Sequence, residues 1–279
     1  MEKTLLFKFD ETLSEAKIVK RPSAQCKTPY VADIIYNENG SSLNTLAHTP
    51  ALGCCGLTDK NSEVLISRKK NPKVCSHCVE LSVLYEKDHK IIIGCNPKMA
   101  ETLMEQCIIN NVIHNLSRVK KYQREKKFLN SRFDFWGIDE NDCEFILEVK
   151  NVPLANYEDV TDKELKKMDF TDRTYNSKIA YFPDGYRKKK NDVVSPRALK
   201  HIIELEKIKI EKKDKIRCIL CFIIQRNDIA LFQASNLDMI YKETLKRAYD
   251  NGVEIMPLVI EWNEIGEAYF IHRNIPFVS

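Results

Sequence analysis

Ser131-Arg132-Phe133-Asp134-Phe135 and, on the next apolar run, Glu148-Val149-Lys150 decide how this chain reads. Between Asn141 and Val152 the apolar Phe145, Ile146, Leu147 and Val149 spell a strand. Successive strand side chains point to opposite faces, so Glu148 and Lys150 share a face and can share a site. Ser131 to Ile138 reads as the strand before it, with Gly137 and the polar Asp139 to Asp142 as the turn. A hairpin of this kind sets Asp134 across from Glu148. Two carboxylates and an amine then make a compact place for a divalent metal and a water. Asp134 and Glu148, with the Val149 carbonyl, are hard oxygen donors suited to Mg2+ or Mn2+. Lys150 is placed to orient the water or to offset developing negative charge. Glu-x-Lys on a strand is also a common solvated face with a cross-strand ion pair, so the flanking sequence has to arbitrate.

Upstream, Ala16 to Arg21, Tyr30 to Tyr36, Leu43 to His48, Glu63 to Ser67 and Val79 to Tyr85 are short apolar or alternating runs parted by polar, Gly or Pro segments, the pattern of a small barrel or sandwich. After Glu86-Lys87-Asp88 the pattern changes. Ile91 to Cys95 reads as a strand, and Pro97 to Asn110 as a helix with Asn96 as N-cap and Met99, Leu103, Met104 and Cys107 on one face. The basic strand around Lys120 and the strands of Asp134 and Glu148 follow. Asn156 to Ser177 is polar and reads as irregular. Ser195-Pro196 opens a helix with Leu199, Ile202, Ile203, Leu205 and Ile208 at near-helical spacing, and Arg217 to Gln225 is a buried strand. Leu237 to Asn251 adds a helix ended by Gly252, and Val253 to Trp262 a strand. Helix, three strands, helix, strand is the order of a PD-(D/E)xK nuclease core, and Asp134, Glu148 and Lys150 stand where that core carries its D...ExK.

SRFDF, EVKNV, Phe182-Pro183-Asp184-Gly185, the run Pro196 to Leu205, Phe222 to Asp228 and Asn251 to Ile255 occur in the order seen in the SfsA family of sugar fermentation stimulation proteins. The chain resembles that family, most specifically from about Ile91 to Leu258 and more faintly before it. The resemblance implies an α/β protein with an all-β N-terminal domain. A small OB-like nucleic-acid-binding barrel over 1–89 would precede a PD-(D/E)xK restriction-endonuclease-like mixed sheet with flanking helices over 90–279. It implies metal-dependent hydrolysis of DNA, and it adds Asp184, from FPD, as a further ligand or positioner, although an Asx turn before Gly185 explains Asp184 equally well. The chain departs from the family in the basic stretch Tyr186 to Asp192, in Ala198 where Gly is common, and in Ala51 at the Asn of a His-x-x-Asn-x-Gly pattern.

On the second helix Lys200 and Glu204 are spaced i and i+4. Either Arg197 and Lys200 meet DNA phosphates while Glu204 fixes Lys200, or the pair is a solvated salt bridge. The family pattern favours the former. His201 reads as a hydrogen-bonded structural histidine before it reads as a proton carrier. The formal net charge of +4 argues only mildly for a polyanionic partner, so distribution matters more. Six cations fall between Arg118 and Lys127, among them Lys120, Lys121 and Arg124 just before the Asp134 strand, and Arg187, Lys188, Lys189 and Lys190 form a second run. With Arg132 these are candidates for phosphate contact, which gives affinity without sequence specificity. No base-reading motif stands out.

Met1 to Lys20 has no apolar h-region and no run is long enough to span a bilayer, so the expectation is a soluble intracellular protein with ten reduced cysteines. Cys75 and Cys78 form a CxxC turn that could hold structural zinc with Cys54 and Cys55, although adjacent cysteines chelate one ion awkwardly. The expected partner is DNA of undetermined strandedness, with no membrane and with self-association left open. A non-catalytic DNA-binding regulator and an RNA nuclease are the alternatives. Keeping Asp134, Glu148 and Lys150 together favours an enzyme, because a pure binder has no use for an acidic pair beside a phosphate.

Overall fold

The computed structural model describes residues 2–50, 54, 56–185 and 192–278, with the backbone alone at 214. It opens with β1 (Lys3–Lys8), then β2 (Ser14–Lys20), β3 (Val31–Glu38), β4 (Ser41–His48), β5 (Glu63–Arg68), β6 (His77–Glu86) and β7 (His89–Gly94). Strands β4-β3-β2-β5-β6-β7 form one sheet, and a parallel contact between Ala47-His48 and His77-Cys78 joins β4 to β6. That contact closes β2 to β6 into a five-strand ring with β7 appended. Counting ring strands from β2, the order around the ring is 1-2-3-5-4, that of an OB-type Greek-key barrel. Its interior holds Ile18, Ile34, Tyr36, Ala47, Val64, Ile66 and Val79, the inward half of each alternating run.

The second half contains α1 (Pro97–Ile109), β8 (Val119–Phe128), β9 (Ser131–Asp139), β10 (Glu144–Val152), β11 (Ala155–Asn156), α2 (Asp162–Leu165) and β12 (Lys178–Phe182), followed by α3 (Pro196–Lys212), β13 (Ile216–Ile224), β14 (Ile229–Ala234), α4 (Met239–Asp250), β15 (Glu254–Trp262), β16 (Glu267–Ile271) and β17 (Phe277–Val278). The main sheet runs β1-β16-β15-β13-β10-β9-β8, and a smaller one β11-β12-β14-β17. Strands β10, β13 and β15 are parallel to one another while β9 and β8 return antiparallel, so α1-β8-β9-β10-α3-β13 has the PD-(D/E)xK order.

Both long helices begin as their sequences dictate. The Asn96 side chain accepts from Lys98 N at 3.1 Å ahead of Pro97, and Ser195 accepts from Ala198 N at 3.3 Å ahead of Pro196. Helix α1 buries Ala100, Leu103, Met104, Cys107 and Ile108, the i, i+3, i+4, i+7, i+8 stripe of an amphipathic helix. It lies against one face of the main sheet, with Phe135, Phe145, Leu147 and Val149, in a core that also takes Leu65, Leu81, Val83 and Ile92 from the barrel. Barrel and main sheet therefore share a core. Helices α3 and α4 cover the other face, with Ile146, Leu220, Phe222 and Ile224. Each such side chain contributes about 1.5–3 kcal/mol by burial. Among the described residues no helix is long and apolar enough to cross a membrane.

Four sequence expectations change. The boundary at 89/90 falls inside the β6–β7 hairpin, whose turn is made by Lys87 and Asp88 at φ 46° and 64°. The strand after that turn belongs to the barrel sheet, because a run as uniformly apolar as Ile91-Ile92-Ile93 does not reveal its partner. Lys3–Lys8, unread as a strand, pairs with β16 at the far end of the chain through a register shift between Leu5 and Phe7 that breaks its alternation. Gly137 lies inside β9, where any Cβ would come within 2.5 Å of the Phe145 ring; the turn is 140–143. Ile203 faces solvent, while His201 and Glu204 join the buried side of α3.

Candidate active site

Pairing of β9 with β10 stops at Phe135 and Leu147. Phe133 and Phe135 then enter cores on opposite sides of the sheet although they are two residues apart, so strand alternation breaks at Asp134. Asp134 fills the opening. Its Oδ2 accepts the Val149 N–H at 2.7 Å, replacing the β9 carbonyl that the ladder no longer offers. Across the sheet edge, Arg124 pairs with Phe135 and Lys126 with Phe133, which puts Glu125, at φ 55°, opposite Asp134.

Glu148 and Lys150 project together towards α3, as period-two spacing requires. Glu148 is 2% exposed and Asp134 9%. The Lys150 ammonium donates to Glu148 Oε1, and His201 Nδ1 meets the same oxygen from α3. A carboxylate can only accept, so this contact puts the ring hydrogen on Nδ1. Lys150 Nζ lies 3.4 Å from His201 Nδ1. Burial works against the charge of Glu148, but Lys150 and His201 outweigh it and hold the carboxyl below its ordinary value. Among the described residues Asp134 has no cation in contact. Burial, reinforced by the charge of Glu148, pushes it up to about 7 against the lesser pull of Lys150 and of the Val149 N–H. Glu148 Oε2 is buried, with no hydrogen-bond partner among the described residues. A buried carboxylate oxygen left bare beside a second carboxylate is a donor set that a divalent cation satisfies.

These groups lie in a cleft of about 390 Å³ whose walls include Tyr30 and Pro50 from the barrel, Glu101 from α1, Tyr181 and Asp184 at β12, and Ser195 and Arg197 at the start of α3. Asp184 Oδ1 accepts from Gly185 N at 2.6 Å while the residue faces the cleft. Glu101 went unnoticed in the sequence. One ligand oxygen from each of Glu101, Glu125 and Asp134 can lie within 4.8 Å of the others, and nothing on the polar face of α1 distinguishes Glu101 until the fold brings α1 to β9.

Beyond His201 a second groove of about 620 Å³ is lined by Glu125, Ser131, Arg132, Arg197, Lys200 and His201. Lys200 donates to Asn130 O at 2.8 Å and lies 3.7 Å from Glu204, whose Oε2 is buried and unpartnered among the described residues. Arg132, Arg197 and Lys200 thus converge next to the acid pair. The β8 cations disperse: Lys120 pairs with Asp142 at 2.9 Å, Arg124 with Glu105 at 2.8 Å and Glu101 at 3.0 Å, and Lys121 sits over the Trp136 ring. Lys121 is four strand positions, roughly 13 Å, from Glu125. Arg187, Lys188, Lys189 and Lys190 lie outside the described residues.

Among the described residues the cysteines considered for zinc do not form one cluster. Cys54 packs with Leu57, Ile91, Ile93 and Leu154 and approaches Cys95 O at 3.4 Å, Cys75 is buried before β6, and Cys78 lies 3.9 Å from His48 Nδ1. Cys55 lies outside the described residues, and among these residues the three described cysteines do not gather within reach of one ion.

The family model described as "Sugar fermentation stimulation protein RE domain" matches residues 98–162 and 164–266. A sugar fermentation stimulation protein homolog of Maricaulis maris is 28% identical over 272 residues, covering 95% of this chain and 96% of that one. The homolog of Clostridium kluyveri is 25% identical over 267 residues, covering 95% and 96%. The structure of Pyrococcus furiosus SfsA in complex with Ca2+ superposes with a TM-score of 0.74 at 19% identity, over 99% of this chain and 100% of that one.

Proposed function

Since the chain belongs to the SfsA family, we propose that it is a metal-dependent nuclease that hydrolyses phosphodiester bonds of DNA with largely sequence-independent binding. One observation carries the reading. Glu148, fixed by Lys150 and His201, keeps a buried oxygen, unpartnered among the described residues, beside Asp134 in a cleft rimmed by Arg197. A solvated strand face, the bland alternative for Glu-x-Lys, would be exposed and would leave no orphan atom.

Asp134 and Glu148, with the Val149 carbonyl, would hold Mg2+ or Mn2+, and Glu101 or Glu125 could add an oxygen to an ion at Asp134. The Ca2+ in the Pyrococcus furiosus SfsA structure is an ion of the same oxygen-seeking class and supports this choice. When bound, the cation supplies neutralisation of the phosphate's negative charge. The remaining work belongs to side chains. Lys150, aimed by its bond to Glu148, orients the attacking water and offsets negative charge as the phosphorus–oxygen bond to the leaving group breaks. His201 prevents Glu148 from turning away. Arg197, Lys200 and Arg132 seat neighbouring phosphates, which would account for binding without base readout. Asp184 contributes to positioning from the cleft wall.

Labelled DNA incubated with Mg2+, with Mn2+ and with chelator tests the proposal. Cleavage with metal and none in chelator is expected. Intact DNA in every condition, with binding retained, would instead favour a non-catalytic DNA-binding regulator.

A further inference from the structure

The barrel contributes to the catalytic cleft through Tyr30. This residue ends the connection between β2 and β3, which in the 1-2-3-5-4 ring is the loop joining the first and second strands. Its backbone is pinned: Thr49 N donates to Tyr30 O at 2.9 Å, and the Thr49 hydroxyl donates to Pro29 O at 3.1 Å. Among the described residues its hydroxyl has no hydrogen-bond partner, and the side chain stays free of the core, the residue being 43% exposed. An aromatic ring on an anchored backbone, left in solvent on a cleft wall, is a preorganised stacking surface.

The rest of the cleft is divided in chemistry. Tyr30, Pro50, Pro153, Leu154 and Tyr181 give an apolar and aromatic lining, while Asp134, Glu148, Lys150 and Arg197 give the ionic part. A phosphate needs only the ionic part. The aromatic part suits the base attached to that phosphate, and a base is free to enter a cleft only when it is unpaired. Because the two carboxylates are 9% and 2% exposed, a phosphate must descend to them between the barrel and α3. A single strand is narrow enough to do so; a duplex carries each phosphate on the outside of a wide, stiff body and reads best against convex elements that enter its grooves. Loops between the first and second strands of OB-type barrels are places where oligonucleotides bind, and stacking on aromatic side chains is the sequence-tolerant means of holding single strands.

Resting on the nuclease reading above, we infer that the barrel loop at Tyr30 completes the catalytic cleft as a base-stacking wall, so that the strand admitted is unpaired DNA, free or as a flap or overhang.

Fluorescence anisotropy tests this in chelator, so that no strand is cut, with a labelled single strand, the matching blunt duplex and a duplex bearing an unpaired tail, all at one salt concentration. The single strand and the tailed duplex should bind at least tenfold tighter than the blunt duplex. Tyr30→Ala should weaken single-strand binding roughly tenfold, within the range for one stacked base, and leave the blunt duplex unchanged; Tyr30→Phe, which keeps the ring, should bind as wild type. Equal or tighter binding of the blunt duplex would overturn the inference, as would equal losses in Tyr30→Ala and Tyr30→Phe. Absence of binding to every DNA would remove the nucleic-acid reading itself, a result distinct from loss of strand preference.

Discussion

His201 Nδ1 on α3 and Glu148 Oε1 on β10 are joined by a hydrogen bond that ties the second helix to the acid pair. Both residues are buried, and the same oxygen also takes the Lys150 ammonium. His201 therefore acts through Glu148 as a positioning residue. Groups that orient a metal ligand typically cost 10- to 100-fold in metal affinity or activity when removed. His201→Ala should fall in that range for Mn2+ affinity measured by calorimetry, and His201→Gln, able to donate from its amide, should recover part of the loss. Unchanged Mn2+ affinity in His201→Ala would assign the histidine to packing alone.

Asp134 sets function against stability. Its carboxylate is crowded by Glu148 and by burial, and a neutral amide could still accept the Val149 N–H. In chelator at pH 8, Asp134→Asn should melt at least about 2 °C higher than wild type, the shift that about 1 kcal/mol gives in a chain of this size. Adding Mg2+ or Mn2+ should raise the wild-type Tm and leave the variant's alone. Melting curves that coincide with and without metal for both proteins would place the cation elsewhere.

A separate buried ion cluster governs acid stability. Asp228 is fully buried, bonded to Arg226 at 2.6 and 2.7 Å and to Lys178 at 2.7 Å, and Lys178 also reaches Glu86 on the barrel. Burial alone would raise the Asp228 pKa, but Arg226 and Lys178 overcome it and hold it below the ordinary 3.8. A depressed carboxylate stabilises the fold above its unfolded value, and that stability is lost as the pH falls through the lower folded value. Denaturant unfolding should therefore show stability dropping below about pH 4. Asp228→Asn should cost about 3–5 kcal/mol at neutral pH, because it leaves two buried cations short of a partner, and should flatten the acid limb. A variant as stable as wild type at pH 7 would show that the cluster holds nothing together.

How far the sequence reveals this site depends on the range of the contact. Glu148 and Lys150 are legible because two residues of strand suffice to put them on one face, and Asn96-Pro97 and Ser195-Pro196 are legible because caps are local chemistry. Asp134 opposite Glu148 follows from a hairpin, although the break in alternation that frees its carboxylate does not. The bond from His201 to Glu148 spans 53 positions and exists only once α3 lies on β10. Glu101 and Tyr30 need still more of the fold: α1 must meet β9, and the barrel must be seated on α1 through Leu65, Leu81, Val83 and Ile92. Strand β1 shows the same limit, since its partner β16 lies at the other end of the chain and its own alternation is broken by a register shift.

The most direct test of the nuclease reading is single-turnover cleavage of labelled single-stranded DNA in Mn2+ by wild type and Lys150→Ala, with binding measured alongside. Lys150 bonds Glu148 and lies 3.4 Å from His201 Nδ1, and His201 keeps its own bond to Glu148, so the loss of Lys150 should spare the fold. Wild type should cut, chelator should stop it, and Lys150→Ala should cut at least about a hundredfold more slowly while binding DNA as tightly. Wild-type turnover in Lys150→Ala, or intact DNA after incubation of the wild-type protein with every metal, would contradict the assignment of Asp134, Glu148 and Lys150 as the catalytic group.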